Sequence, residues 1–179
     1  MLGDQILMFD PFKNRSSRDI RNQLSEAFLS TLKTGKLHEL EKAADGLRTK
    51  APETDHIIFI DDRVRRYGNV FDYLFPRDER NPSDPFDTAR CLWEKALFFE
   101  CHEWLEALWQ NASGMEKKAL QGLIRAAGAF VLNEAGRHPA AGSSAQKARM
   151  IIQETRDFLP PSFDADHVVA ALDAITLTR

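Results

Sequence analysis

Residues 88–110 read TARCLWEKALFFECHEWLEALWQ, and this stretch decides the fold. Wound at about 100° per residue, its apolar side chains cover most of the circumference of a helix. A helix that is apolar on nearly every side is a central helix, buried by its neighbours. We therefore expect one long helix from Thr88 to Gln110 in the core of an all-α protein.

Helical spacing of apolar residues also runs through the first part of the chain. It predicts one helix over 16–34 and a second from Leu37 to before Pro52. The next segment, 55–73, contains the β-rich run Ile57–Ile60, which would suit a strand. Its apolar period is nevertheless helical over several turns, so we expect a third helix there.

On the C-terminal side, a Ser-x-x-Glu pattern at Ser113 predicts a capping box and a helix that ends near Gly136. We expect a loop over 139–144, a helix over 145–159, and a last short helix capped by Asp164 or Asp166.

The clearest linker is the segment from Phe75 to Asp87, which contains three prolines. We therefore divide the chain into an N-terminal helical extension with its Pro-rich linker, residues 1–87, and a helical core, residues 88–179. The expected architecture is an all-α compact bundle with the extension packed on it.

Composition argues against several classes of function. The 179 residues carry 24 Lys and Arg against 27 Asp and Glu, so the basic surface typical of nucleic-acid binding is missing. No stretch approaches 18 uncharged apolar residues, and Asp4 stands where a signal peptide carries positive charge. We expect no membrane segment and a cytoplasmic location.

Cys91 and Cys101 would lie roughly 15 Å apart on the expected helix, too far for a disulfide.

Three ionisable residues interrupt the long apolar helix. His102 and Glu106 are four residues apart and share a face, and Glu103 lies about 60° further round. The His-Glu-x-x-Glu spacing is that of a zincin motif with a carboxylate in place of the second histidine. It indicates a site where His102 and Glu106 bind a divalent transition metal and Glu103 is the general base. A catalytic metal usually has a third protein ligand, for which His138 is a distant candidate.

The same cluster also fits a structural hydrogen-bond network. Buried unpaired charge costs several kcal/mol, so the glutamates would need partners from a facing helix. One stripe of the following helix presents Gln121, Arg125, Gly128 and Leu132. Arg125 would neutralise Glu103 or Glu106 and compete with a cation. The chain would then be a non-catalytic helical module that binds a protein partner or self-associates into a homo-oligomer.

Two further expectations concern packing. Trp104 and Trp109, at helical spacing on a buried helix, belong to the core. Gly128 allows another helix to approach closely.

Two motifs carry a resemblance to a known family. One is FFECHEWLEALW at 98–109, similar to aromatic-Glu-Ala-His-Glu-x-x-Glu-x-x-Trp, and the other is LQGLI at 120–124, similar to Leu-Gln-Gly-Leu-Ile. In this order they resemble a helical family catalogued as domain of unknown function 309. The resemblance runs from about Leu92 to Leu159.

The resemblance implies a compact all-α bundle and the label of metal-dependent hydrolase that the family sometimes receives. By carry-over, the positions of interest are His102, Glu103, Glu106 and Gln121, with Gln121 orienting water or substrate. The chain departs from the family in two places. Trp93-Glu94-Lys95-Ala96 replaces Phe-Asn-x-Gly, and Val131-Leu132 replaces a Tyr-His pair, which removes one candidate ligand.

Overall fold

A computed structural model of the chain describes residues 9–51, 53–75 and 84–177. All the regular structure within these residues is helical, which confirms the predicted all-α class. None of the described helices is both long enough and apolar enough to cross a membrane. The chain divides into two units, Met1–Asn81 and Pro82–Arg179.

The described residues of the first unit form three helices, α1 (Arg15–Thr34), α2 (Leu37–Lys50) and α3 (Thr54–Leu74). Each packs against the other two. The helix predicted over 55–73 is confirmed, and it continues through Gly68 without a break. Its helical period places Ile60 and Tyr67 in the core, and the Tyr67 ring stacks on Phe28 of α1 at a centroid distance of 3.9 Å.

Within 84–177, the second unit forms five α-helices: α4 (Pro85–Glu94), α5 (Phe98–Trp109), α6 (Gly114–Glu134), α7 (His138–Glu154) and α8 (Ala165–Leu177). A short 3-10 turn, Arg156–Phe158, lies between the last two. The central helix is α6, which packs against α5, α7 and α8. Its buried face is rich in alanine, and small side chains let neighbouring helices pack closely.

The single long helix expected from Thr88 to Gln110 is wrong, because the chain turns between α4 and α5. Ala96 adopts a left-handed conformation with φ 53°. The amide of Leu97 donates to the carbonyl of Leu92 at 2.9 Å, and the amide of Ala96 donates to the carbonyl of Trp93 at 3.0 Å. These two bonds are those of a Schellman motif, which terminates a helix and usually has glycine at the left-handed position. Leu92 and Leu97 are both fully buried and supply its apolar contact.

Several predicted boundaries also change. The loop expected over 139–144 is instead the start of α7, with Pro139 in the first turn, where its missing N–H is not needed. Ser113 precedes α6, but its side chain makes no capping hydrogen bond. Asp164 is the cap of α8, accepting from the amide of Asp166 at 2.9 Å. Of the expected linker, residues 76–83 lie outside the described residues, and α4 begins at Pro85.

The close helix approach occurs at Gly122 rather than at Gly128. A Cβ atom at Gly122 would lie 3.0 Å from the side chains of both Ile151 and Ile152 on α7. A Cβ atom at Gly128 would meet only Cδ2 of His102, at 3.7 Å, which is an ordinary van der Waals contact. The glycine of the LQGLI motif is therefore the one that α7 requires.

Ala96→Gly should raise the free energy of unfolding by about 0.5–1 kcal/mol, because glycine adopts the left-handed conformation without a Cβ clash. Gly136 occupies the same position in the motif that ends α6, with φ 68°. Gly136→Ala is the matched control and should lower stability by a similar amount. Urea denaturation followed by circular dichroism measures both changes, and an equal sign for the two variants would contradict this account.

Gly122→Ala should destabilise the second unit, since overpacking against Ile151 and Ile152 costs about 1–3 kcal/mol. Gly128→Ala has room for its methyl group. It should raise the free energy of unfolding by roughly 0.5–1 kcal/mol, because alanine has a higher helix propensity than glycine. Thermal unfolding of the two variants tests the difference. A melting temperature for Gly122→Ala at or above that of Gly128→Ala would contradict the packing described for α6 and α7.

Candidate functional site

The turn at Ala96 gives α5 one buried face and one face that carries the ionisable cluster. Its buried residues are Glu100, Cys101, Trp104 and Leu105. The side chains of His102, Glu103 and Glu106 are 30%, 41% and 50% exposed. The expectation of a buried cluster is therefore wrong, and the three groups meet solvent at a helix surface.

The cluster is nevertheless tight. Nδ1 of His102 lies 3.2 Å from Oε1 of Glu103 and 3.9 Å from Oε2 of Glu106. One ligand atom from each residue lies within 4.8 Å of the other two. An imidazole nitrogen with two carboxylates is a donor set that divalent transition metals accept, and the opposing negative charges favour a cation. The three side chains therefore form a group that could hold a metal ion.

A cleft of about 340 Å³ adjoins the cluster. It lies between α5 and α6, and Ser144 of α7 completes its wall. His102 and Glu106 line it from α5, together with Trp109. The predicted stripe of α6 lines the other side, comprising Gln121, Arg125, Gly128 and Leu132, with Ile124 beside it. The structure thus brings Gln121 to the same cleft as His102 and Glu106, whereas Glu103 stands next to His102 outside the lining.

Arg125 does not play the part that the structural-network hypothesis requires. Among the residues whose side chains are described, it forms no ion pair with Glu103, Glu106 or any other acid, and its buried Nε has no hydrogen-bond partner. Its backbone carbonyl accepts a hydrogen bond from Ser144 Oγ at 3.2 Å, which ties α7 to α6 at the cleft. The glutamates are therefore not neutralised from the facing helix.

The two tryptophans of α5 have different surroundings. Trp104 is buried as predicted, and its indole N–H donates to the Pro85 carbonyl at 2.8 Å. Trp109 is only half-buried and lines the cleft, so its assignment to the core is wrong. The ammonium group of Lys117 lies over the Trp109 ring, 4.2 Å from its centroid, in a cation–π contact.

The remaining histidines lie elsewhere. His138 is the exposed first residue of α7 and contacts Oδ1 of Asn133 through Nδ1 at 3.0 Å, so it is not part of the three-residue cluster. His56 is fully buried in the first unit, with Nε2 3.1 Å from Oγ of Ser17. The sequence signal for this burial is the four-residue spacing between His56 and Ile60, which places both on the core face of α3.

Glu100 is the charged residue that sequence reasoning missed. It is entirely buried, and it shares the core face of α5 with Trp104 at i,i+4 spacing.

Burial, reinforced by the neighbouring Glu100 carboxylate, raises the pKa of the Cys101 thiol far above its usual range. Cys101 donates to the Ala89 carbonyl at 3.4 Å, and it lies on a different helix from Cys91. Neither free cysteine faces solvent, so neither is a nucleophile for the cleft.

Residues 86–143 match the family model described as Domain of unknown function (DUF309). This segment is similar to that family. The resemblance inferred from the two motifs is thereby confirmed. Comparisons with curated proteins and with solved structures gave no match. The matched segment runs from α4 into the first turns of α7, so it contains the whole cluster and the cleft lining except Ser144.

Both thiols, Cys91 and Cys101, should react slowly in the native protein. Burial raises the pKa of Cys91 as well as that of Cys101. A raised pKa keeps a thiol protonated, so raising the pH from 7 to 9 should increase native labelling far less than labelling in denaturant. Alkylation by iodoacetamide, read by mass spectrometry with and without urea, measures this. Rapid modification of either cysteine in the folded chain would show that the described burial is wrong.

Proposed function

We propose that the chain is a metal-dependent hydrolase whose site consists of His102, Glu103, Glu106 and the adjoining cleft. The observation that carries the proposal is three ligand atoms within 4.8 Å of one another, beside a cleft of about 340 Å³. Half-exposed donors at a cleft leave room for substrate and water, as catalytic metal sites require. Structural metal sites, in contrast, are closed by four protein ligands.

His102 and Glu106 are the proposed metal ligands, because both line the cleft and their side chains approach each other to 3.9 Å. A divalent transition metal bound there would supply Lewis-acid polarisation of the bond that is cleaved. Gln121 lines the cleft from α6, where its amide group can orient water or substrate by donating and accepting hydrogen bonds.

Glu103 is the proposed general base. Its carboxylate lies next to both ligand side chains, within 4.8 Å, but outside the cleft lining. As the base, it takes a proton from water while the water oxygen attacks the carbonyl carbon or phosphorus of the substrate. The proton then passes to the leaving group as its bond breaks. Oε1 of the same carboxylate lies 3.2 Å from Nδ1 of His102.

Metal content of the tag-free protein tests this proposal. We expect about one equivalent of zinc, manganese or iron by mass spectrometry, lost in His102→Ala and reduced in Glu106→Gln. Glu103→Gln should keep the metal but lower hydrolysis of p-nitrophenyl acetate or p-nitrophenyl phosphate by about 10²–10⁴-fold, the usual contribution of a general base. His138→Ala is the control and should change neither quantity, because His138 lies outside the cluster.

Three results would count against the proposal. Wild-type protein that holds no metal after incubation with zinc, manganese and iron would favour the non-catalytic helical module. So would a His102→Ala variant that keeps both its helical circular dichroism and its metal. A Glu103→Gln variant that loses the metal would make Glu103 a third ligand and remove its role as base.

A further inference from the structure

We propose that the cleft between α5 and α6 binds a small oxyanion through Arg125, and that the substrate carries a carboxylate or phosphate group at this position. The binding of the oxyanion stands on the cleft alone, whereas its description as part of a substrate rests on the proposed hydrolase function.

The first reason is the state of the Arg125 guanidinium. Arg125 is half-buried and lines the cleft, and its Nε is shielded from water without a hydrogen-bond partner. No described acidic side chain pairs with it. Arginine that leaves water is ordinarily paired, because an unsatisfied charged donor is costly. A planar guanidinium fork matches the two oxygens of a carboxylate or phosphate.

The second reason is that Glu106 and Arg125, on opposite sides of the cleft, form no ion pair. A short connection over 110–113 makes α5 and α6 antiparallel neighbours, and His102 lies against Gly128. Glu106, one turn beyond His102 on α5, is therefore level with Arg125, one turn before Gly128 on α6. Both line the same cleft, yet no ion pair joins them. The gap separates a cation-binding side from an anion-binding side.

The third reason is the positive charge along α6. Lys117 precedes Gln121 by one turn on the stripe that lines the cleft, and its ammonium group lies on Trp109, a lining residue. Arg125 thus lines the cleft, and a second cationic side chain, Lys117, lies on the ring of a lining residue. Neighbouring cations of this kind attract an anionic ligand.

The size and walls of the cleft restrict the ligand further. A volume of about 340 Å³ is at the lower end of the range for small-molecule pockets. Its apolar walls are Trp109, Ile124 and Leu132. The ligand class is therefore a small molecule with one oxyanion and an apolar body, and its hydrolysed bond faces His102 and Glu106.

Isothermal titration calorimetry of the 179-residue chain tests the oxyanion site. The probes are inorganic phosphate and acetate, at constant ionic strength, with metal-free protein and with protein holding one equivalent of manganese. We expect at least one probe to bind the wild type, and Arg125→Gln to weaken it by about tenfold or more. The probe that binds more tightly distinguishes a phosphate from a carboxylate substrate.

Lys118→Gln is the matched control, because it removes one positive charge from the same helix outside the cleft, where Lys118 pairs with Glu154. It should bind the probe as the wild type does. Arg125→Lys keeps the charge but not the fork, and it should also bind more weakly. This variant decides the question if Arg125→Gln does not fold.

Equal binding by wild type and Arg125→Gln, or no binding of either probe, would overturn the oxyanion site. Where Arg125→Gln does not fold, equal binding by wild type and Arg125→Lys would overturn it. The metal content of the same samples separates the two proposals. Protein that binds metal at His102 but neither anion retains the proposed function and loses the oxyanion site. Protein that holds no metal but binds phosphate or acetate through Arg125 retains the oxyanion site and loses the proposed hydrolase function.

Discussion

The left-handed turn at Ala96 determines where the residues of the candidate site lie. It ends α4 and lets α5 start again at Phe98, with Leu92 and Leu97 buried on either side of the turn. A non-glycine residue in this conformation costs about 1–2 kcal/mol, and the burial of two leucines offsets that cost. Because α5 starts afresh, its core face takes Glu100 and Trp104, while His102, Glu106 and Trp109 are left beside the cleft.

The sequence predicted helices well where their ends carry a chemical signal, as at Gly35 and Gly136, both with positive φ. It could not predict the break between α4 and α5, because Glu94, Lys95 and Ala96 all favour continuing the helix. Tertiary packing imposes that turn. The loop predicted from Pro139 was wrong for another reason. Proline suits both a loop and the first turn of a helix, and the local sequence does not distinguish the two.

The sequence predicted which residues form the candidate site, but it did not predict how exposed to solvent they are. The i,i+4 rule brings His102 and Glu106 together on any helix, and the period of α6 places Gln121 and Arg125 on one stripe. Exposure depends on how α5 is rotated against α6, which the unforeseen turn sets. The sequence therefore assigned the acids to the interior and Trp109 to the core. In the structure Glu106 and Trp109 line a cleft, and Glu103 lies outside its lining with a half-exposed side chain.

A structural network and a functional cleft require opposite arrangements of the same residues. A network that stabilises the fold pairs its acids with Arg125 and buries the pair, since a buried charge without a partner is strongly destabilising. Here the acids are half-exposed, and Arg125 retains a buried Nε without a partner. An unsatisfied donor of this kind costs about 1–3 kcal/mol. Native proteins accept local costs of this size mainly at functional sites. The unpaired arginine therefore favours a ligand in this cleft over a purely structural role for the cluster.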